Sequence, residues 1–138
     1  MTRWLKIFLL LCSVVLISLL SMATTWAVGP RITITEMAVT TKIVEGKPID
    51  SVHRISSKSV KALYCFTRLT SESEEKTGIK HVWYRNGEKV AEYELPVKGE
   101  NWRTSSRKTV DKYSSGDWRV DVLDSEGKVL KSVKFRMN

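Results

Sequence analysis

Ser105-Ser106-Arg107-Lys108 is the stretch of this sequence with the most reactive combination of side chains. Ser105 and Lys108 stand at S-x-x-K spacing, by which acyl-transferring envelope enzymes bring a lysine amine to a serine hydroxyl. Such a lysine must be desolvated enough to be neutral before it can activate the serine. Penicillin-binding enzymes meet that need at a helix start in a far larger fold, with S-D-N and K-T-G motifs beside it. Neither motif occurs here. The surrounding residues are polar and alternate as in a strand, so the plainer expectation is a hydrogen-bonded strand. Paired carboxylates, a Ser-His-Asp set and a Gly-rich phosphate loop are also missing from the pattern. No catalytic residue is assigned, and a Ser/Lys acyl-transfer or hydrolytic enzyme is the alternative reading.

His53 and His81 are the only imidazoles, and with Cys65 and nearby acids they could hold copper or zinc. None of them falls at a paired ligand spacing such as C-x-x-C or H-x-x-x-H. His81 shares a strand face with Ile79 and Trp83, which predicts a partly buried ring with a satisfied nitrogen. No metal and no cofactor is expected, and a His-based metal-binding domain is a second alternative. Trp83, Trp102 and Trp118 could be a sugar-stacking platform, but tryptophans on separate strands of a sandwich bury large areas in its core. Trp83 and Trp118 are expected there. Trp102 alternates with Thr104, Ser106 and Lys108, a polar face, and is expected at a rim.

Basic residues gather in the second half: Arg103, Arg107, Lys108, Lys112, Arg119 and Lys131. The plain reading is a solvated face. The binding reading selects Trp102, Arg103, Arg107, Lys108 and Arg119 as candidates, with an envelope protein or an anionic polysaccharide as the partner. No nucleic-acid motif accompanies the charges, and no nucleic-acid partner is expected.

The compartment follows from the first residues. Arg3 and Lys6 precede an uncharged apolar run, Ile7 to Leu20, and Ser21-Met22-Ala23 and Thr25-Trp26-Ala27 offer small residues for cleavage. This pattern predicts a signal peptide over residues 1–27, cleaved after Ala27. Left uncleaved, the same run is long enough to anchor the chain in the inner membrane, its one membrane contact. The positive-inside rule sends the rest outward in either case, to the periplasm or beyond. Cys12 is preceded by Leu11, which is too large for a lipidation site. Without Arg3 and Lys6 the chain keeps 21 of its 23 basic side chains against 15 acidic ones, a net charge of +6. Only Cys65 remains, so no intrachain disulfide can form although the compartment permits one. It is expected as a buried small hydrophobe between Tyr64 and Phe66.

Residues 30–138 are expected to form one domain, organised around Ile79 to Val97. Ile79, His81 and Trp83 alternate with Lys80, Val82 and Tyr84. Asn86-Gly87 then supplies the positive φ of a type I′ turn, and Ala91, Tyr93, Leu95 and Val97 return. Upstream, Arg31 to Val44 alternates with a slip at Glu36 that predicts a bulge. Glu45 to Ser59 is expected as a loop crossing between sheets. Val60 to Leu69 is apolar on both faces and predicts a strand covered on both sides. Ser71 to Gly78 is a short acidic loop tip. Downstream, strands are expected at Trp102 to Val110, Trp118 to Leu123 and Val129 to Met137. In the last of these Val129, Val133 and Phe135 should point inward. No helical period appears after the leader. About seven short strands at regular spacing predict an all-β, antiparallel immunoglobulin-like sandwich.

LYCFT at 63–67, HVWYRNG at 81–87, NWRTSSRK at 101–108, GDWRVDVLDSEGKVL at 116–130 and VKF at 133–135 resemble a bacterial domain-of-unknown-function family, number 2914. The resemblance runs from Val39 to Phe135. It implies an extracytoplasmic β domain and no known activity. The leader departs from relatives that carry a larger membrane region. All these signs together point to a non-enzymatic, envelope-associated binding module.

Overall fold

Asn86 and Gly87 do adopt positive φ, 49° and 82°, and close the central hairpin. The computed structural model describes residues 29–138; the leader expected over residues 1–27, with Cys12, lies outside them. Seven long strands carry the fold: β1 (Ile32–Thr40), β5 (Ala62–Ser71), β6 (Thr77–Arg85), β7 (Glu88–Val97), β8 (Asn101–Thr109), β9 (Gly116–Leu123) and β10 (Val129–Met137). Three two-residue pieces lie between the first two: β2 (Ile43–Val44), β3 (Lys47–Pro48) and β4 (Arg54–Ile55).

The strands form a three-stranded sheet, β1-β5-β8, and a five-stranded sheet, β4-β10-β9-β6-β7. Their inner faces share one core, with Val39, Leu63, Cys65 and Leu69 from the first and Ile79, Trp83, Val120, Val122 and Phe135 from the second. Trp83 is fully buried, edge-on to Trp118 and Phe135 at 6.4 and 6.3 Å between ring centroids. Trp118 and Phe135 stack on each other at 5.8 Å. Edge-to-face and offset contacts of this kind suit the aromatic quadrupole. Asn86 also fastens the hairpin to β9: its N–H donates to the Asp117 carbonyl at 2.7 Å, and its Oδ1 accepts from the Asp117 N–H at 3.0 Å. Gly116 has φ 138°, and a methyl group there would stand 2.7 Å from Asn86 Oδ1, so a larger residue would be strained and would displace the Asn86 side chain.

The expected slip in β1 is present as a register shift between Ile34 and Glu36. Three other features differ from expectation. The stretch after β1 is not a plain loop. Glu45 and Gly46, both at positive φ, turn β2 back on β3, and this ribbon lies over the outer face of the three-stranded sheet. A methyl group at Gly46 would stand 3.5 Å from Arg103 Nη1 on that face. On that side, away from the core, Phe66 pairs with Ala38 and Ser105 and is only 2% exposed. Asp50 holds the ribbon's base. Burial pushes its carboxyl up, but hydrogen bonds from Thr40 and Thr41 outweigh that and hold it below its ordinary value. Second, the expected crossing to the other sheet is not made by loop alone: within it β4 pairs parallel with β10 through Arg54–Arg136 and Ile55–Met137. Third, Val129 faces solvent. A register shift between Val129 and Lys131 brings Leu130 against the core in its place.

Candidate functional site

Strand alternation decides the fate of the reactive serines. β8 is an edge strand and presents its even-numbered residues inward and its odd-numbered residues outward. Ser105 is therefore exposed on the outer face, while Lys108 turns to the inner side and donates from Nζ to the Thr109 carbonyl at 2.9 Å. The Ser105–Lys108 pair is split across the sheet, whereas Ser106, the other serine of the Ser/Lys alternative, shares the inner side with Lys108. Ser106 is 4% exposed and lies between the sheets.

There it meets His81. His81 Nδ1 and Ser106 Oγ are 2.8 Å apart, His81 Nε2 and Thr67 Oγ1 are 2.9 Å apart, and Trp83 Nε1 donates to Ser106 Oγ at 3.0 Å. The indole N–H can only donate, so Ser106 accepts from it and has its own proton free for His81 Nδ1. Nε2–H then donates to Thr67. All four side chains come from different points of the chain, on β5, β6 and β8, and tie the two sheets together. Ser-His contact resembles half of a hydrolytic set, but His81 and Thr67 are wholly buried and no substrate atom can reach them. Burial pushes the His81 pKa down to about 4, so the ring is neutral at ordinary pH.

The metal alternative fails on the same residue. Both ring nitrogens of His81 are taken by hydroxyls, and His53 is exposed beside β10, where its carbonyl accepts from the Arg136 N–H. Among the described residues no cluster of three His, Cys, Asp or Glu side chains could hold an ion. Cys65 is wholly buried, and burial pushes its thiol up to about 12. It behaves as the expected small hydrophobe.

The five candidate binding residues do not share one surface. Arg103 and Arg107 point outward from β8, on the face partly roofed by the ribbon. Trp102 and Lys108 belong to the inner side of that strand, and Trp102 is half-buried against the core, at its rim. Arg119 lies on the outer face of the other sheet, where it pairs with Asp121 at 3.0 Å and covers the Tyr84 ring at 4.2 Å from its centroid. The wider basic set is likewise divided, with Lys112 over the Tyr113 ring and Lys131 on β10.

Register brings in a residue that sequence reading missed. Arg68 on β5 pairs directly with Arg103, and the next pair on the same face is Thr70 with Asn101. A pocket of about 360 Å³ opens here, lined by Thr35, Arg68, Thr70, Asn101, Trp102 and Arg103. A second groove, of about 470 Å³, crosses the outer face of the five-stranded sheet by Tyr84, Arg119, Lys134 and Arg136. Arg136 is engaged there by Asp117 at 2.7 Å.

Residues 76–137 match the model of a family described as a protein of unknown function (DUF2914). The resemblance drawn from the motifs thus holds over β6 to β10; the LYCFT segment at 63–67 precedes the matched span. No curated protein matches the sequence. An immunoglobulin-like protein from Pseudomonas aeruginosa is similar in structure, with TM-score 0.52 and 11% identity over 78% of this chain and 97% of that one. A Pseudomonas fluorescens alkylpurine DNA glycosylase, bound to DNA containing an abasic site analog, gives TM-score 0.53 and 11% identity over 80% of this chain. This chain spans 31% of the glycosylase. At such identity the likeness concerns the fold alone, and the fold is an immunoglobulin-like sandwich.

Proposed function

We propose that this chain is a non-enzymatic recognition module of the cell envelope, exported by its leader, that engages an anionic polysaccharide. One observation carries the reading. β8 turns its hydroxyl with catalytic potential into a sealed, self-satisfied interior and leaves Arg103 and Arg107 outward with no carboxylate partner. None of the ion pairs among the described residues includes either arginine. Cations held without a counter-ion on a rigid sheet favour an anionic partner by charge complementarity. An envelope protein with an acidic surface is the other partner that such a face would suit.

Two measurements test this. A reporter enzyme active only outside the cytoplasm, fused after Asn138, is expected to be active, and to lose its activity when residues 1–27 are deleted. The protein is expected to co-sediment with envelope polysaccharide at low ionic strength and to be released as salt shortens the screening length. Reporter activity without the leader would refute export. Retention that is indifferent to salt would refute the charge-based partner.

A further inference from the structure

We propose that the pocket built on Arg68 and Arg103 is an oxyanion site, which takes the carboxylate or phosphate group of an acidic saccharide. The inference rests on the recognition reading and adds to it a place and a ligand chemistry.

Arg68 and Arg103 are cross-strand partners, so two guanidinium groups start from adjacent points on one face. Like charges directly opposite each other destabilise a sheet, and an anion bridging them removes that cost. Glu36, the neighbour of Arg68 on β1, answers only one of the two. Even there the contact is loose: Glu36 Oε2 lies 3.7 Å from Arg68 Nε, outside hydrogen-bond range. Arg68 Nε is shielded from solvent and has no hydrogen-bond partner. A shielded N–H without an acceptor is costly, and satisfying it with a charged acceptor returns that cost. No carboxylate lines the pocket.

The remaining walls suit a sugar. Asn101 and Thr70 supply an amide and a hydroxyl one register step beyond the arginines. The bulge in β1 delivers the last wall. It lets Thr35 Oγ1 donate to the Arg68 carbonyl at 3.2 Å, which fixes the backbone beneath the guanidinium. A volume of about 360 Å³ stands at the small end of ligand sites, sized for one ring with its charged substituent. The larger groove on the opposite sheet is a poorer anion site. Arg119 and Arg136 are already committed to Asp121 and Asp117.

Calorimetric titration of the full-length protein tests the site, with tetragalacturonate, the neutral maltotetraose and inorganic phosphate as probes. An acidic probe is expected to bind, with affinity falling as salt rises, while maltotetraose gives no heat. Galacturonate alone binding assigns a carboxylate; phosphate binding assigns a phosphate-bearing saccharide. Arg68→Gln and Arg103→Gln should each weaken binding at least tenfold. Lys134→Gln, on the opposite sheet, should leave it unchanged, and circular dichroism confirms that each variant folds. The site is overturned if neither acidic probe binds, or if maltotetraose binds equally well. It is also overturned if Lys134→Gln abolishes binding that Arg103→Gln leaves intact, although the recognition reading then survives. Shortening of bound tetragalacturonate, seen by mass spectrometry, would uphold the site and overturn the non-enzymatic reading.

Discussion

Ser106 and Arg103 belong to the same strand, yet one faces polar neighbours that answer it and the other faces a region where charges are not answered. Between the sheets, Thr67, His81, Ser106 and Trp83 hydrogen-bond one another, with distances of 2.8 to 3.0 Å. On the outer face of the three-stranded sheet, Arg68 and Arg103 stand side by side with a single, loosely placed carboxylate. The interior network cannot act on anything outside, because any change that exposes it breaks the core. The outer pair contributes nothing to holding the sheets together. The contrast separates what keeps this sandwich folded from what is left for the proposed partner.

The largest effect that would break the comparison belongs to Trp83. Removing it deletes two edge-on aromatic contacts and leaves Ser106 without its indole donor. Trp83→Ala is expected to cost about 3–5 kcal/mol, from a domain total of about 5–15 kcal/mol. Denaturant melts should show a protein that is partly unfolded at rest. A wild-type melt would mean that the interior is not where stability lies.

His81 comes next. In the unfolded chain its imidazole takes up a proton near the ordinary value of 6.5; in the fold, burial holds uptake off until about 4. Between these values the unfolded state binds more protons, so acidification favours unfolding. The contribution is complete above about pH 6.5 and is lost as pH falls through about 4, a swing of about 3 kcal/mol. Melts of wild type between pH 7 and pH 4 should show this fall, and His81→Gln should flatten it. An equal fall in the variant would assign the acid sensitivity to other groups.

Much of this architecture was legible in the sequence because its signals are local. Asn86-Gly87 needs positive φ whatever surrounds it, and period-two alternation in Ile79 to Trp83 and Trp118 to Val122 names the inward faces directly. The slip at Glu36 was visible as a broken alternation. The β2–β3 ribbon was missed because two-residue strands have no period to read, although Glu45-Gly46 held a turn signal. The β4–β10 pairing joins residues far apart in the chain and depends on how the finished sheets meet. Val129 was misplaced because one inserted residue reverses every face before it. For the site, the odd and even parity of β8 already separated Arg103 and Arg107 from Trp102 and Lys108. Arg68 carried no signal of its own. Its meaning comes from register with Arg103, which only the paired sheet supplies.

The smallest effects sharpen the comparison most, because they come from one strand. Ser106→Ala takes away an acceptor for Trp83 Nε1 and a partner for His81 Nδ1, leaving two buried polar atoms unanswered. Each such group costs about 1–3 kcal/mol, so the variant should melt clearly below wild type. Arg103→Gln removes an exposed charge that has no ion-pair partner among the described residues and relieves its repulsion with Arg68. Surface changes of this kind stay within about 0.5 kcal/mol, and the sign here should be neutral or stabilising. Measured in parallel, the two variants should separate stability from binding: Ser106→Ala loses stability, and Arg103→Gln loses only affinity for an acidic saccharide. A large loss of stability in Arg103→Gln would mean that its guanidinium is tied to the ribbon tip near Gly46, and that the outer face is part of the scaffold.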